Sequence, residues 1–397
     1  MDSSIPKVLV LDANQRSALA IIRSLGRRGI NVIAGDHRAH SLGGASRFSA
    51  TSVRYSDPAR SAQDFANDVK DISERLGIDT IIPATDLTTM LIVSQSDLFK
   101  NVHLAAPDLE SYDALSNKAR LLEIAKNLEI PAPESHVVQS PKDAIDTASD
   151  FGFPVVLKPA RSRYIKGGCV FSTSVQIAPS AEKLKALLES LPWVGDIPCI
   201  VQRFVPGHGA GIFALYGPSG PIAWFSHRRI REKPPAGGVS VLCESVPVDT
   251  LMRSLSERLL SAVNWKGVAM VEFRVSDAGT PYLMEVNGRF WGSLQLAVDC
   301  DVDFPWLLYQ TAHQVPVTGP SSYLIGHRLR WLLGDLDSLF IRVRRDSSTS
   351  RQRFRAVCDF LRSFGDIHCR QEIFRLNDPA PALREFRQWL RAARGGK

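Results

Sequence analysis

The sequence has few cysteines and none of the close pairs that bind zinc or form dense disulfide frameworks. Six cysteines are scattered through 397 residues, and no two of them form a C-x-x-C pair. This spacing excludes a disulfide scaffold and a zinc site of the usual kind. It also favours a reducing compartment, so we expect a cytoplasmic protein.

Long hydrophobic runs are also missing. Only four consecutive apolar residues precede Asp12, which is too few for the apolar core of a signal peptide. The longest uncharged run, residues 204–227, contains eight glycines and prolines and does not fit a membrane span. We therefore expect no membrane partner.

Positive charge is concentrated in one part of the chain. The formal net charge is +7, and residues 321–397 contain sixteen Lys or Arg against eight Asp or Glu. A basic tail is compatible with nucleic acid or acidic lipid. Its arginines alternate with large apolar residues, however, which favours a packed helical appendage over an arm that binds polyanions. The polyanion-binding arm stays open as a weaker hypothesis, and nucleic acid is not an expected partner.

The N-terminal part has the hydrophobic pattern of a parallel α/β sheet. Residues 8–36 predict strand, helix and strand, and a second amphipathic helix ends before Gly77. The next strand ends at Thr85 and Asp86, which would lie at the sheet edge where such folds bind ligands. The first turn lacks the glycines of a dinucleotide-binding fingerprint. Residues 1–115 are therefore expected to form a supporting or substrate-facing domain.

Residues 268–287 predict a β-hairpin with two carboxylates on facing positions. A tight turn at Ala278-Gly279 places Glu272 directly across from Glu285, and Asn287 falls on the same face. Two carboxylates and an amide oxygen form a hard, oxygen-only ligand set that suits Mg²⁺ or Mn²⁺ better than zinc. The alternative is an exposed hairpin with solvated glutamates, since a slip of one residue would send the carboxylates to opposite faces.

The segment around Glu285 also resembles a known motif. MEVNGRF resembles the metal-binding E-x-N-x-R motif of the ATP-grasp superfamily, and FWGSLQLAVDCDVDFPWLLYQ is similar to its branch of predicted carboxylate-amine ligases. The similarity runs in order from about Val8 to about Gln310. It implies an α/β and α+β fold, with a Rossmann-like parallel-sheet domain, two α+β lobes around ATP and a helical basic C-terminal tail.

The resemblance also implies a division of the chain. Residues 1–115 form the N-terminal Rossmann-like domain, and residues 116–320 form the ATP-grasp domain. Within the latter, residues 155–203 form a small lid lobe and residues 204–320 a metal-binding lobe. Residues 321–397 form the basic helical appendage.

Site residues follow by position in the family's motifs. Glu272, Glu285 and Asn287 would ligate the metals that bridge the ATP phosphates. Arg289 would hold the acid substrate or the charge that develops during transfer, and Arg231 is a second candidate for the acyl phosphate. The residues expected to contact the nucleotide are Lys118, Lys158, Ser162, Gly167, Gly168, Gln202, Phe204 and Val205. The less favoured candidates are Arg228 and Arg229 as substrate contacts and His227 and Glu244 as bases.

The implied activity is that of an ATP- and Mg²⁺-dependent ligase. It would activate a carboxylate as an acyl phosphate, couple it to an amine and release ADP and phosphate. The expected partners are a small-molecule carboxylate and an amine of amino-acid or peptide-like type, and a homodimer is one option. No nucleophile elbow, HExxH or P-loop pattern supports a hydrolase or a P-loop kinase instead.

Two departures from the family pattern keep another hypothesis open. Arg203 stands where the family often has Glu, and His208, Gly209 and Ala210 stand where a ribose-binding Glu is expected. A catalytically inactive ATP-binding regulatory or scaffold protein is therefore the alternative function.

Overall fold

The computed structural model describes residues 6–191, 193–235, 237–344 and 349–395. Their strands assemble into three sheets and one separate two-stranded hairpin. No helix in this part of the chain is long and apolar enough to cross a membrane.

The first sheet is parallel, with five strands in the order β3-β2-β1-β4-β5. Its elements are β1 (Lys7–Val10), α1 (Arg16–Gly26), β2 (Asn31–Asp36), β3 (Thr51–Arg54), α2 (Ala62–Leu76), β4 (Thr80–Ile82), α3 (Asp86–Ser94), β5 (His103–Leu104) and α4 (Leu109–Ser116). Helix α2 ends as predicted, because Gly77 adopts a left-handed φ of 62° that residues with a side chain rarely adopt. The Rossmann-like parallel sheet expected from the sequence is confirmed.

The second sheet has four antiparallel strands in the order β10-β7-β11-β6. The elements of this region are α5 (Lys118–Asn127), β6 (Ser135–Val138), α6 (Pro141–Phe151), β7 (Val155–Pro159), β8 (Arg163–Lys166), β9 (Cys169–Ser172), β10 (Gln176–Ala178), α7 (Ala181–Ser190) and β11 (Cys199–Arg203). Helices α6 and α7 pack against it through a core that includes Leu157, Leu184 and Trp193. Strands β8 and β9 form the separate hairpin.

The third sheet has seven strands in the order β16-β15-β12-β13-β14-β17-β18. The elements before the C-terminal appendage are β12 (His208–Gly217), β13 (Gly220–Lys233), β14 (Val239–Ser245), α8 (Thr250–Ala262), β15 (Gly267–Val275), β16 (Pro281–Asn287), α9 (Leu294–Asp299) and α10 (Phe304–Ala312). Side chains alternate along β15 as predicted, since Val268 and Met270 join one hydrophobic core while Val271 and Phe273 join another. The sheet is therefore covered on both faces.

The C-terminal appendage contains strands as well as helices. Its elements are β17 (Arg328–Arg330), α11 (Leu332–Arg344), α12 (Ser350–Arg362), β18 (Cys369–Gln371) and α13 (Ala380–Gly395). Strands β17 and β18, which the sequence analysis did not predict, extend the third sheet. The appendage is anchored to helix α1, because the buried Arg23 guanidinium lies 2.8 Å from the Asp378 carboxylate.

Candidate active site

Strands β15 and β16 place two glutamates opposite each other. Glu272 pairs with Glu285, and Met270 pairs with Asn287, as the sequence predicts. The predicted two-residue turn is wrong: Ser276 and Thr280 close a three-residue loop whose last residue, Gly279, has a φ of 84°. This loop offsets the pairs next to it by one residue, and an irregularity between Glu272 and Phe273 restores the expected register.

Glu272 is the more buried of the two glutamates. The Asn287 side-chain amide lies 3.2 Å from one oxygen of Glu272 and 3.3 Å from Glu285. Arg229 donates to the other Glu272 oxygen at 2.9 Å. Burial raises the pKa of Glu272, the negative charge of Glu285 raises it further, and Arg229 opposes both effects. A positive group between the two carboxylates would offset the repulsion between their negative charges.

Two glycines on β12 lie near the glutamates, and one of them, Gly209, faces Arg229. Gly211 lies opposite Glu272 on the neighbouring strand, and Gly209 lies opposite Arg274. A Cβ atom on Gly209 would lie 3.8 Å from the guanidinium of Arg229, so a larger side chain would meet it. Gly209, at one of the positions that depart from the family pattern, therefore lies beside the arginine that contacts Glu272.

The donor set fits a magnesium ion that also binds substrate phosphates. Glu272, Glu285 and Asn287 offer hard oxygen atoms only, and their side chains meet within hydrogen-bond distance. In the described residues no group of three or more His, Cys, Asp or Glu side chains is placed to hold a metal. Two carboxylates and an amide leave several coordination positions for other oxygen atoms, as Mg²⁺ in nucleotide sites requires.

Two lysines lie beside the glutamates, and only one of them, Lys118, has a hydrogen-bond or ion-pair partner among the described residues. The Lys118 ammonium donates to the Ser162 hydroxyl at 2.9 Å and lies 3.7 Å from a Glu285 oxygen. Lys158 is buried on strand β7, and within the described residues it has no hydrogen-bond or ion-pair partner. Burial lowers the pKa of Lys158 to about 8, against the opposing charges of Glu285 and Glu272. Because a buried ammonium without a partner is energetically unfavourable, an anion that pairs with it would be bound favourably.

The predicted phosphate loop is the β8–β9 hairpin. Gly167 and Gly168 form its turn with φ values of 59° and 79°, which residues with side chains rarely adopt in succession. The hairpin contacts the N-terminal domain, since the Val170 amide donates to the Ala59 carbonyl at 2.9 Å. Ser162, at the base of the hairpin, points its hydroxyl to Lys118.

Arg289 connects the β15–β16 hairpin to the N-terminal sheet. Its guanidinium forms a two-pronged pair with Asp86, with distances of 3.0 and 3.2 Å, and donates to the Asn287 side-chain oxygen at 3.2 Å. The sequence placed Asp86 at the ligand-binding edge but gave no sign of this partner, because the contact joins residues 203 positions apart. Both residues are held close to the glutamates.

Several of the side chains described above line one cleft. The residues that line it include Asp86, Tyr112, Lys118, Arg161, Ser162, Glu285 and Asn287. Two of the three predicted metal ligands, Glu285 and Asn287, therefore line the same cleft as Lys118 and Asp86.

Comparison with known proteins explains the arrangement. A family model described as "ATP-grasp in the biosynthetic pathway with Ter operon" matches residues 224–332. The ADP complex of PurK, an N5-carboxyaminoimidazole ribonucleotide synthetase, is 11% identical and gives a TM-score of 0.66 over 90% of this chain and 96% of that chain. The chain thus has the fold of these ATP-grasp proteins, and residues 224–332 match an ATP-grasp family model.

Two further known proteins are similar to this chain. Biotin carboxylase from Campylobacter jejuni is 15% identical, with a TM-score of 0.67 over 82% of this chain and 74% of that chain. The carbamoyl phosphate synthase large chain of Archaeoglobus fulgidus is 24% identical over 230 residues, or 56% of this chain and 20% of that protein. The chain spans about a fifth of the length of the curated relatives that it matches.

The segment predicted to join the two lobes contains one unsatisfied side-chain group, at Gln202. Gln202 is buried and donates to the Ser135 hydroxyl at 2.8 Å, while its side-chain oxygen has no partner among the described residues. The Val205 carbonyl accepts from Arg274 at 3.2 Å, and Phe204 is half-buried next to it. These positions remain predicted nucleotide contacts.

Arg203, which replaces the family's usual Glu, points away from this segment. Its guanidinium lies 2.9 Å from Glu134 and stacks over the Phe151 ring at 5.2 Å from the centroid. The substitution therefore adds a surface ion pair between strand β11 and the residue before β6.

Arg231 is not where the sequence placed it. Strand β13 is irregular between Arg229 and Arg231, and these residues pair with the adjacent residues Cys243 and Leu242 of β14. Adjacent strand residues point to opposite faces, so Arg229 reaches Glu272 while Arg231 pairs with Asp335 of the appendage at 2.6 Å. Arg231 thus contacts the appendage, and Arg229, the less favoured candidate, lies at the glutamates; the substrate role of Arg231 stays a prediction.

The two candidate bases are also corrected. Burial lowers the pKa of His227 to about 3, so its imidazole is a very weak base. Glu244 contacts both Arg228 and Arg328, and these arginines lower its pKa against the effect of burial. Glu244 is also on the face opposite to Glu272, because it pairs with the residue before Arg229.

Proposed function

We propose that the protein is an ATP- and Mg²⁺-dependent ligase that activates a carboxylate as an acyl phosphate and joins it to an amine. One observation carries the proposal: the facing glutamates and Asn287 lie beside Lys158, a buried ammonium without a partner. An oxygen-only cation site next to buried positive charge is the environment that a magnesium-bound triphosphate needs. ATP is the substrate that supplies it.

The chemistry divides into two displacements. The carboxylate oxygen of the acid attacks the γ-phosphorus of ATP, and ADP leaves as the P–O bond breaks. The amine nitrogen then attacks the acyl carbon, the C–O bond to phosphate breaks, and the amine loses a proton. Bound Mg²⁺ supplies charge neutralisation across the phosphates.

The residues of the chain position the reactants. Lys118 and Lys158 hold the phosphates from the base of the cleft, and backbone N–H groups at Gly167 and Gly168 close over them. Arg289 can fork onto the acid substrate or the transferring phosphoryl group, because its planar guanidinium matches either geometry. Asp86 fixes the guanidinium in that orientation.

The nucleobase is assigned to the segment after β11. The unpartnered oxygen of Gln202 offers an acceptor, and the backbone groups at Phe204 and Val205 offer an edge for adenine. Biotin carboxylase and PurK, which have this fold, are known as complexes with β,γ-ATP and ADP. In our proposal residues 155–203 act as the lid lobe and residues 204–320 as the metal-binding lobe, between the domain of residues 1–115 and the appendage of residues 321–397.

A calorimetric titration tests the nucleotide site. MgATP should bind, and removal of Mg²⁺ with EDTA should weaken binding about tenfold or more. Glu285→Gln should lose the magnesium dependence, whereas Glu257→Gln, at a partly exposed position on helix α8, is a matched control and should retain it. Absence of nucleotide binding by the wild-type protein would refute the proposal.

Turnover is tested separately. Phosphate release from ATP should require one carboxylate and one amine from a panel of amino acids, peptides and amines. Tight MgATP binding without ADP formation across the whole panel would support the alternative of an inactive ATP-binding regulatory protein. The loss of the family's usual Glu at Arg203 is the observation that favours this alternative.

A further inference from the structure

Helix α12 is amphipathic, and its apolar side faces solvent. No residue of this helix is buried. Phe354, Val357 and Leu361 recur at steps of three and four, so they share one face, and they are 72%, 37% and 58% exposed. Phe364, two residues after the helix, is 56% exposed. A continuous apolar stripe of this kind on a surface helix indicates contact with something outside the chain.

Arginines border the apolar stripe of α12. Arg351, Arg355 and Arg362 recur at steps of four and seven on the neighbouring face, and all three are exposed. The helix contains four arginines and one acidic residue, Asp359. Arg355 and Arg362 contact Asp359 only loosely, at 3.9 and 3.8 Å. The stripe therefore lies beside a row of positive charge that the protein itself leaves largely uncompensated.

A second apolar surface lies on the other side of the arginines. Phe340 and Ile341 of helix α11 are each 42% exposed, and they line a groove with Ala356 and Arg355 of α12. The arginine row thus has apolar side chains on both sides. An interfacial helix likewise combines an apolar stripe with Lys and Arg side chains that reach the lipid headgroups.

We propose that α12 docks on an anionic lipid surface. Phe354 and Leu361 would enter the boundary of the acyl chains, while the three arginines would lie at the level of the lipid phosphates. Charge complementarity supports this occupant, since residues 321–397 carry an excess of eight positive charges while the rest of the chain carries an excess of one negative charge. The helix would lie in the plane of the surface, which does not require a membrane-spanning segment.

Other occupants fit the surface less well. A second copy of the chain would bring two arginine rows together, and like charges in contact oppose association. An acidic protein would need a concave, complementary groove to receive the convex stripe, whereas a lipid surface adapts to it. The proposal departs from the expectation of no membrane partner, which rested on the absence of a long apolar run, and it does not depend on ligase activity.

Vesicle sedimentation tests the proposal with the full chain. The wild-type protein should bind vesicles of equal parts phosphatidylglycerol and phosphatidylcholine, and binding to phosphatidylcholine alone should be at least about tenfold weaker. The double variant Phe354→Ser/Leu361→Ser should lose about tenfold or more in binding. The matched control Val175→Ser/Ile177→Ser removes two exposed apolar residues of the lid lobe and should bind as the wild type does.

Three outcomes would overturn the proposal. The first is no binding to the anionic vesicles. The second is vesicle binding that Phe354→Ser/Leu361→Ser leaves unchanged. This result would indicate general adsorption of a basic surface, and equal retention of the wild type and this variant on heparin would support the same reading. The third is a wild-type dimer in gel filtration that becomes a monomer in the same variant, which would assign the stripe to a second copy. Circular dichroism of both double variants checks that each one is folded.

Discussion

Replacing Lys158 with methionine should make the empty protein more stable and the nucleotide complex weaker. The Lys158 ammonium is buried and has no partner within the described residues. Burial lowers its pKa from 10.5 to about 8, which corresponds to about 3 kcal/mol of unfavourable solvation for the charged form. Methionine has a similar length without the charge, so Lys158→Met should raise the free energy of unfolding at pH 7 by up to about 3 kcal/mol.

The pH dependence has a defined sign. The pKa of Lys158 is lower in the folded than in the unfolded chain, so the unfolded chain binds the extra proton between about pH 8 and pH 10.5. Wild-type stability should therefore gain from this group as pH rises through that window, and the advantage of Lys158→Met should shrink over the same window. Urea denaturation at several pH values measures both trends.

Lys158→Met should weaken nucleotide binding, although it stabilises the nucleotide-free protein. A contact between the Lys158 ammonium and a phosphate contributes about 1.5–3 kcal/mol, so Lys158→Met should weaken MgATP binding about ten- to a hundredfold. In the wild type, affinity should fall above pH 8, where the free amine loses its proton, and binding should take up a proton there. Calorimetry in buffers of different ionisation enthalpy detects that uptake.

A matched control separates these effects from a general loss of charge. Lys183→Met removes an exposed lysine of the same lobe and should change neither stability nor MgATP affinity appreciably. The reasoning is refuted if Lys158→Met unfolds at lower urea than the wild type, or if it binds MgATP with wild-type affinity.

Three further changes test other parts of the structure. Glu285→Gln should raise the thermal stability of the nucleotide-free protein, because it removes a like charge opposite Glu272, and calorimetry should show weaker Mg²⁺-dependent nucleotide binding. Arg231→Met should lower the free energy of unfolding by about 1.5–3 kcal/mol in urea, because the buried Asp335 loses one cation and keeps Arg330, while MgATP affinity stays unchanged. Gly207→Ala should weaken ATP binding in calorimetry, since its Cβ would lie 2.0 Å from the Val275 carbonyl and displace the segment assigned to adenine.

Periodic patterns predicted the elements of the fold and the ligand-bearing hairpin. The end of α2 at Gly77 and the alternation along β15 follow from local spacing, because each depends only on neighbouring residues. The facing of Glu272 and Glu285 was also predicted and is confirmed. The roles of the individual site residues remain predictions.

Contacts between distant segments could not be predicted in this way. Asp86 and Arg289 are joined only when the N-terminal sheet meets the hairpin, and no local pattern relates them. Strands β17 and β18 are three residues each, too short for a period of two to be recognised in an arginine-rich tail. Arg231 was misplaced for a different reason, since its direction depends on an irregularity within its strand.

Two breaks in strand pairing decide which charges reach the cleft. The three-residue loop of the β15–β16 hairpin, continued without interruption, would place Met284 opposite Glu272 and send Glu285 to the face of Val271, within a hydrophobic core. The break beside Glu272 returns Glu285 to the face of its partner. On β13 the break at Ile230 acts in the opposite sense, because it separates two arginines that regular alternation would place together. Like charges are thus brought together where a cation is expected, and one arginine is directed away from them into the appendage.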